Sequence, residues 1–345
     1  MTRLELFEKY KEKLPFTYTE LVGFRDSINQ ILSDYCSDIK ELDHGLYDGF
    51  KNDIDIYIDG IKNIFDLSYE GLHSLAFNKF EELMDKYRLS TFLEQNVFTD
   101  AILYRMRIVQ DRRSVSYRDM FHIPLNKRGL IKTQRYSAPG YPCLYLGTSI
   151  NACWEELHRP FLENCMVSAF KLTRTVKCID LSIPKKQDII ENQLKLENYL
   201  MAFPLILSCS IKVLNYSDTY KPEYIIPQLL MEYIIKHNRG KEYYSHIIFG
   251  VLYTSVHINN EFKFSDDKFI NWAIPVLDSL SESQYCPDLS KHFEITDPTC
   301  EEFERIKTGN LTFMSTKPKS AYEESSFFLL ENRLKNTEFF QINQV

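Results

Sequence analysis

Four apolar segments of this sequence are interrupted by polar or charged side chains, and these side chains are the candidates for chemistry. In the first segment, strand-like alternation puts Arg105 and Arg107 on one face with Leu103. A guanidinium in such a place can form bidentate hydrogen bonds to a phosphate or a carboxylate. An edge strand with solvated arginines accounts for the same pattern, because charged residues are seldom buried without a partner. The segment therefore indicates either an anion site or a sheet edge.

The second segment is a turn over residues 134–142, which precedes a predicted strand at residues 143–147. Pro139 and Gly140 fix the backbone of this turn, and Arg135 lies beside it. The turn either presents Arg135 to a ligand or has no role beyond connecting two elements.

The third segment is a predicted helix that carries Glu155 and Glu156 next to Trp154. Neighbouring helical side chains point about 100° apart, so one carboxylate at most faces the same way as Trp154. A carboxylate held near a sugar ring is one interpretation, and a solvated helix face is the other.

The fourth segment is an apolar strand whose end carries Ser255 and His257. The two side chains share a strand face, but a separation of two residues is too long for a dependable bond between a nucleophile and its base. The pattern therefore argues against a serine hydrolase.

Composition and missing motifs exclude several classes of protein. The chain has 345 residues with only 11 glycines, and it lacks the glycine-rich loops of dinucleotide-binding folds and P-loop enzymes, as well as the zinc-protease and serine-hydrolase motifs. Its eight cysteines show no zinc-site spacing and are interpreted as reduced core thiols. Residues 1–100 carry 11 Lys/Arg against 20 Asp/Glu, and this negative net charge argues against nucleic-acid binding by this part of the chain.

The elements that must position these residues change in type along the chain. Apolar residues recur at helical spacing over residues 4–87, which predicts a bundle of about four helices. Beyond residue 100, strands and helices follow one another without a regular βαβ repeat, so an α+β fold with a mixed sheet is expected. The sequence shows neither a signal-peptide core nor a membrane span, and a cytoplasmic protein is expected.

Taken in order, the segments resemble the RES domain, a family named for its Arg, Glu and Ser. The matching stretches are Tyr104-Arg105, residues 135–147 (RYSAPGYPCLYLG), 152–156, 223–234 (EYIIPQLLMEYI) and 253–255, and Asn271. At residues 135–137 the chain reads Arg-Tyr-Ser, which differs from the sequence of many family members at this place. At Thr254 it differs from the longer members of the family. The resemblance gives a RES domain at residues 100–290. Residues 1–95 resemble the helical HEPN/RES-type domain that precedes RES in longer members, and residues 291–345 are a C-terminal extension.

This resemblance implies a fold related to the ADP-ribosyltransferases and an enzyme that destroys NAD by hydrolysis or phosphorolysis, often as a bacterial toxin or defence effector. Its namesake catalytic residues correspond to Arg105, Glu156 and Ser255, with Glu155 in place of Glu156 if the spacing is one residue shorter. The residues expected to bind the substrate are Arg135, Tyr145, Tyr253 and Asn271.

The chemistry of such an enzyme suits these residue types. Cleavage of the nicotinamide–ribose bond passes through a positively charged sugar and releases a neutral base, so a fixed carboxylate is the natural stabiliser. Arg105 would hold the pyrophosphate or an attacking phosphate, Tyr145 would stack on a ring, and Ser255 would bind the carboxamide or orient the nucleophile. NAD is then the substrate, and neither a metal nor a further cofactor is expected.

Two other functions fit the same residues. An ADP-ribosyltransferase that modifies a macromolecule would use the same carboxylate and arginine, and a non-catalytic nucleotide-binding sensor would retain the pocket alone. The expected partners are a protein antitoxin or activator and a second copy of the chain, but no nucleic acid and no membrane. The acidic first hundred residues are expected to serve regulation or assembly.

Overall fold

The computed structural model of the chain describes residues 1–42, 48–241, 247–257, 269–276, 284–300, 322 and 325–342, with all their side chains except those of residues 48, 49 and 113. The α-helices are α1 (Arg3–Lys11), α2 (Phe24–Lys40), α3 (Asp48–Tyr69), α4 (His73–Lys86), α5 (Leu89–Phe92), α6 (Ile150–Glu156), α7 (Lys186–Glu191), α8 (Gln193–Cys209), α9 (Ile225–Asn238), α10 (Pro287–Ser290) and α11 (Ser326–Lys335). The strands are β1 (Glu94–Val97), β2 (Ile102–Ile108), β3 (Cys143–Gly147), β4 (Cys165–Leu172), β5 (Val176–Leu181), β6 (Ile248–Thr254), β7 (Ile270–Pro275), β8 (Phe293–Ile295) and β9 (Phe340–Gln341).

These elements confirm the predicted α+β class and the helical N-terminal region. The chain packs into two compact units, each built from three separate segments. The first unit contains residues 1–95, 133–138 and 178–242, and the second contains residues 96–132, 139–177 and 243–345. By packing, residues 178–242 belong with residues 1–95, although the RES resemblance spans them.

Helix α8 is the centre of the first unit. Every side chain from Tyr199 to Cys209 is buried, and helices α1, α3, α5, α7 and α9 pack against it. The ring of Phe203 lies 5.2 Å from that of Tyr10 and 4.7 Å from that of Tyr35. The N-terminal helices therefore share their aromatic core with a helix from much later in the chain.

Seven strands of the second unit form a sheet in the order β6-β7-β3-β2-β4-β8-β9, and neighbouring strands are antiparallel. Strands β1 and β5 lie where the chain passes from one unit to the other. Helices α6 and α11 cover β2 and β4 through a shared apolar cluster that includes Tyr104, Ile150, Cys153 and Leu330. The sheet thus carries α6, and with it the two candidate carboxylates.

Candidate functional site

The site is organised around the last residue of α6. Ser149 begins this helix as an N-cap, since its hydroxyl accepts a hydrogen bond from the Ala152 N–H at 3.0 Å. A β-carbon at Gly147, the last residue of β3, would lie 2.9 Å from Cys153 Sγ and 3.2 Å from the Ser149 carbonyl oxygen. Glycine at this position therefore lets α6 pack directly on the sheet, which fixes where Glu156 ends the helix.

The Glu156 carboxylate binds two neutral side chains through a single oxygen. Its Oε1 accepts a hydrogen bond from Ser255 Oγ at 2.6 Å and another from Asn271 Nδ2 at 2.7 Å. Asn271 lies on β7, and Ser255 follows the end of β6, where its N–H bonds to the Phe269 carbonyl at 3.0 Å. The antiparallel pairing of β6 and β7 thus brings together three of the residues that the sequence singled out.

His257 lies near the other carboxylate oxygen, and His158 packs against His257. His257 Nε2 is 3.7 Å from Glu156 Oε2, and the His257 backbone N–H donates to Ser255 Oγ at 3.3 Å. The His158 ring stands perpendicular to that of His257, with ring centroids 5.0 Å apart. Sequence reasoning weighed His257 only as a base for Ser255, and it missed His158 because nothing in the sequence marks the backbone turn after Glu156.

That turn is conformationally unusual. His158 and Arg159 have φ angles of 61° and 55°, in the left-handed region that non-glycine residues rarely occupy. Arg159 is held there by Glu155, since Nε and Oε2 are 2.8 Å apart, and by its guanidinium over the Trp154 ring. These contacts stabilise a costly conformation that sets His158 against His257.

The geometry distinguishes the two neighbouring glutamates. Glu155 is buried and pairs with Arg159, whereas Glu156 is 28% exposed and is the carboxylate at which Ser255 and Asn271 meet. Of the two spacings that the sequence left open, the one that uses Glu156 is therefore the one compatible with a polar cluster.

Arg105 does not join this cluster. Its guanidinium donates to the carbonyl oxygens of Met120, at 3.2 Å, and Phe121, and no carboxylate pairs with it among the described residues. Burial, together with the nearby charge of Arg107, lowers the pKa of Arg105 to about 9, so the group stays charged at neutral pH. It is a partly buried cation whose hydrogen bonds go to backbone oxygens.

The strand register explains the separation. Tyr104 lies opposite Gly147, and Gly147 lies opposite Asn271, so these three positions share one face of the sheet. Because side chains alternate along a strand, Arg105 leaves β2 on the opposite face from Asn271.

The two tyrosines predicted to bind the substrate share the face of Asn271. Tyr253 lies directly opposite Asn271 and is buried, whereas Tyr145 pairs with Ala273, two residues further along β7, and is half-buried. Arg135 belongs to the first unit, where it is buried, donates to the Cys209 carbonyl at 3.2 Å and lies over the Tyr224 ring.

Two further features bear on the functional class. All eight cysteines are buried and none forms a disulfide, and the described side chains include no group of three or more His, Cys, Asp or Glu arranged to hold a metal ion. In the described part of the chain, no helix is both long and apolar enough to cross a membrane.

Comparison with known proteins gives one relative. The chain is 36% identical, over 248 residues, to a Bacillus subtilis (strain 168) protein named "Putative toxin YopC", and the match covers 66% of this chain and 54% of that protein. The chain thus spans about half the length of this curated relative. No protein-family model and no solved structure matches the chain. The similarity is to a protein named as a toxin, and that name says nothing of its chemistry.

Proposed function

We propose that this chain is a RES-type enzyme that consumes NAD by cleaving the bond between nicotinamide and ribose, and that it acts as a toxin. The observation that carries the proposal is the Glu156 carboxylate, held through Oε1 by Ser255 and Asn271. The resemblance of residues 100–290 to the RES domain supplies the substrate, and the toxin-named relative supports the biological role.

The Glu156 arrangement suits a reaction in which positive charge develops on a sugar. Both donors to Oε1 are uncharged, so they fix the direction of the carboxylate without neutralising it. As the bond between ribose C1′ and the nicotinamide nitrogen breaks, its electron pair leaves with neutral nicotinamide and C1′ becomes cationic. A carboxylate oriented before the reaction stabilises that charge at no cost in reorganisation.

The reaction is completed by a nucleophile that attacks C1′. Water gives ADP-ribose and one proton, whereas inorganic phosphate gives the phosphorylated sugar, and both outcomes use the same carboxylate. Arg105 leaves β2 on the sheet face opposite to Asn271, so the proposed reaction at Glu156 does not depend on it. On the sheet face that carries Asn271, the half-buried Tyr145 offers aromatic surface to a substrate ring.

A toxin of this kind needs control in the cell that makes it. The name of the relative leads us to propose a protein antitoxin or activator as a partner of this chain. Such a partner would be found by its ability to block or to permit the loss of NAD.

The experiment that tests the proposal is mass spectrometry of NAD incubated with the purified protein, with and without phosphate. We expect nicotinamide together with ADP-ribose in the absence of phosphate, or with the phosphorylated sugar in its presence. A mass increase on an added protein or nucleic acid would instead identify an ADP-ribosyltransferase. NAD that stays intact under every condition, including with cell extract as a source of activator, would contradict an enzymatic role.

A further inference from the structure

Glu223, in the first unit, is a buried carboxylate with only half of its hydrogen bonds made. It is 2% exposed, and its Oε1 accepts from Tyr18 Oη at 2.6 Å and from the Leu214 N–H at 3.1 Å. Its Oε2 is buried and has no hydrogen-bond partner among the described residues. A buried carboxylate oxygen without a donor is costly, so this position favours a ligand that brings a donor or a positive charge.

Three tyrosines surround this carboxylate. Tyr18 bonds to it directly, and the rings of Tyr69 and Tyr220 meet edge to face with centroids 6.0 Å apart. Burial, and after it the negative charge of Glu223, raises the pKa of Tyr220. Phe24 links the group, since its ring centroid lies 5.5 Å from that of Tyr18 and 6.5 Å from that of Tyr69. Aromatic faces beside a carboxylate are the surroundings that bind ammonium and guanidinium groups.

Exposed apolar side chains lie close along the chain to Tyr18 and Tyr69. Leu21 is 96% exposed, Val22 is 52% exposed and Leu72 is 43% exposed, beside Tyr69 and Tyr220 at 42% and 53%. Scattered exposed apolar residues are ordinary, whereas a contiguous exposed apolar group is typical of an interaction site. We call Glu223, Tyr18, Tyr69, Tyr220, Leu21 and Val22 the Glu223 surface.

Two cations close to this surface have other partners. Arg25 lies over the Tyr69 ring and pairs with Asp66, while Lys221 donates to the Asp218 carbonyl and lies over Tyr224. Neither hydrogen bond reaches Glu223. Residues 1–100 also carry nine more acidic than basic side chains, which draws a basic partner toward this part of the chain.

We propose that the Glu223 surface binds a partner protein that inserts a lysine or arginine side chain against Tyr69 and Tyr220, and that this insertion uncovers the buried Glu223 Oε2 and pairs with it. The apolar rim of Leu21 and Val22 contacts the residues that flank the inserted side chain. This binding site is independent of the proposed reaction, because none of its residues belongs to the Glu156 cluster.

The test measures binding of two blocked peptides to the full chain by calorimetry. The peptides, Ac-Leu-Arg-Leu-NH2 and Ac-Leu-citrulline-Leu-NH2, differ only in the charge of the inserted group, and butylguanidinium serves as the free cation. We expect the arginine peptide to bind about tenfold more tightly than the citrulline peptide, and more tightly than butylguanidinium, because cation–π contacts and the apolar rim add to the ion pair.

The variant Glu223→Gln keeps the size of the side chain and an acceptor for Tyr18, and it should abolish the preference for arginine. Glu20→Gln removes an exposed carboxylate beside the same rim and should leave the preference intact. Tyr220→Leu, at an exposed ring, should weaken the arginine peptide even if the Glu223 variant does not fold. Equal binding of the two peptides to the unaltered protein would overturn the proposal, and butylguanidinium binding as tightly as the peptide would point to a small amine in place of a protein.

Discussion

Two adjacent glutamates at the end of one short helix have opposite surroundings. The carboxylate of Glu155 is paired with the cationic Arg159, whereas Oε1 of Glu156 accepts hydrogen bonds from two neutral donors, Ser255 and Asn271. An ion pair cancels the field that a carboxylate exerts on a bound substrate, and neutral donors preserve it. The difference in partner, and not in residue type, makes Glu156 the candidate for stabilising a cationic sugar.

We expect Glu156→Gln to lower the rate of NAD cleavage by about 10²–10³-fold, the usual effect of removing one preorganised electrostatic group. Glutamine retains the shape of the side chain, so the thermal midpoint should change little. Glu155→Gln is the matched comparison: it removes the neighbouring charge and the partner of Arg159, and it should cost less activity than Glu156→Gln. Rates measured by nicotinamide release compare the two variants, and loss of activity only in the Glu155 variant would show that the functional carboxylate is the other one.

The composition of the Glu156 cluster was predictable from the sequence, but its geometry was not. The family resemblance singled out Glu156, Ser255 and Asn271, yet their meeting depends on the β6–β7 register, in which Tyr253 lies opposite Asn271. Register is set by packing across strands that lie apart in sequence. The same dependence explains Arg105: its alternation with Tyr104 was evident, but the strand partners that place it on the opposite face were not.

At the scale of elements, the C-terminal helix α11 supports the helix that carries the site. Glu331 on α11 is 2% exposed and accepts hydrogen bonds from the Ile150 N–H, at 2.8 Å, and from Tyr322 Oη. Ile150 is the first residue of α6, where N–H groups lack partners within the helix and a negative charge is favoured. A buried carboxylate of one helix therefore completes the start of the other.

We expect Glu331→Gln to lower the free energy of unfolding by about 1–3 kcal/mol, because it weakens buried charge-assisted hydrogen bonds. Glu338→Gln, at an exposed position just beyond α11, is the control and should stay within about 0.5 kcal/mol of the unaltered chain. Urea unfolding followed by circular dichroism measures both. Equal stability of the two variants would mean that Glu331 does not hold α6 in place.

Short elements with clear local signals were predicted more accurately than buried ones. Strand β3 spans residues 143–147, as predicted from the sequence. Helix α8 runs to Cys209 although Pro204 lies inside it. Packing on all sides stabilises a helix that local propensity alone would end.

At the scale of the whole molecule, a buried histidine couples stability to pH. His122 is 1% exposed, its Nε2 accepts from the Cys286 N–H at 2.9 Å, and its Nδ1 lies 2.8 Å from the Ile123 carbonyl. Burial, reinforced by the charge of Arg105 and opposed by the bond to Ile123, lowers the pKa of His122 from 6.5 to about 4. The folded chain therefore holds His122 neutral at a pH where the unfolded chain would protonate it.

The sign of the effect follows from this difference. Below about pH 6.5 the unfolded state binds a proton at His122 that the folded state does not bind. The free energy of unfolding therefore falls as the pH drops toward 4, by up to about 3 kcal/mol. Above that range the contribution is constant. His122→Gln should lose this part of the dependence while keeping that of the carboxylates. Urea midpoints at a series of pH values measure the difference, and parallel curves for variant and unaltered chain would contradict it.

The largest prediction concerns removal of residues 1–95, which resemble a separate helical domain in sequence. Their aromatic core is shared with α8: Tyr35 Oη donates to the Leu200 carbonyl, the Phe7 and Tyr199 rings lie 5.1 Å apart, and Phe16 exchanges backbone hydrogen bonds with Ser210 and Lys212. Truncation would expose the apolar surface of α8, whose burial is worth about 25 cal/mol per Å².

We therefore expect a chain that starts at residue 96 to be insoluble or to unfold non-cooperatively, whereas co-expression with residues 1–95 as a separate polypeptide should restore a folded complex. Size-exclusion chromatography and thermal unfolding measure both. A soluble, cooperatively folded chain from residue 96 onward would show instead that residues 1–95 are a dispensable domain, and its rate of NAD cleavage would then reveal whether they regulate the site.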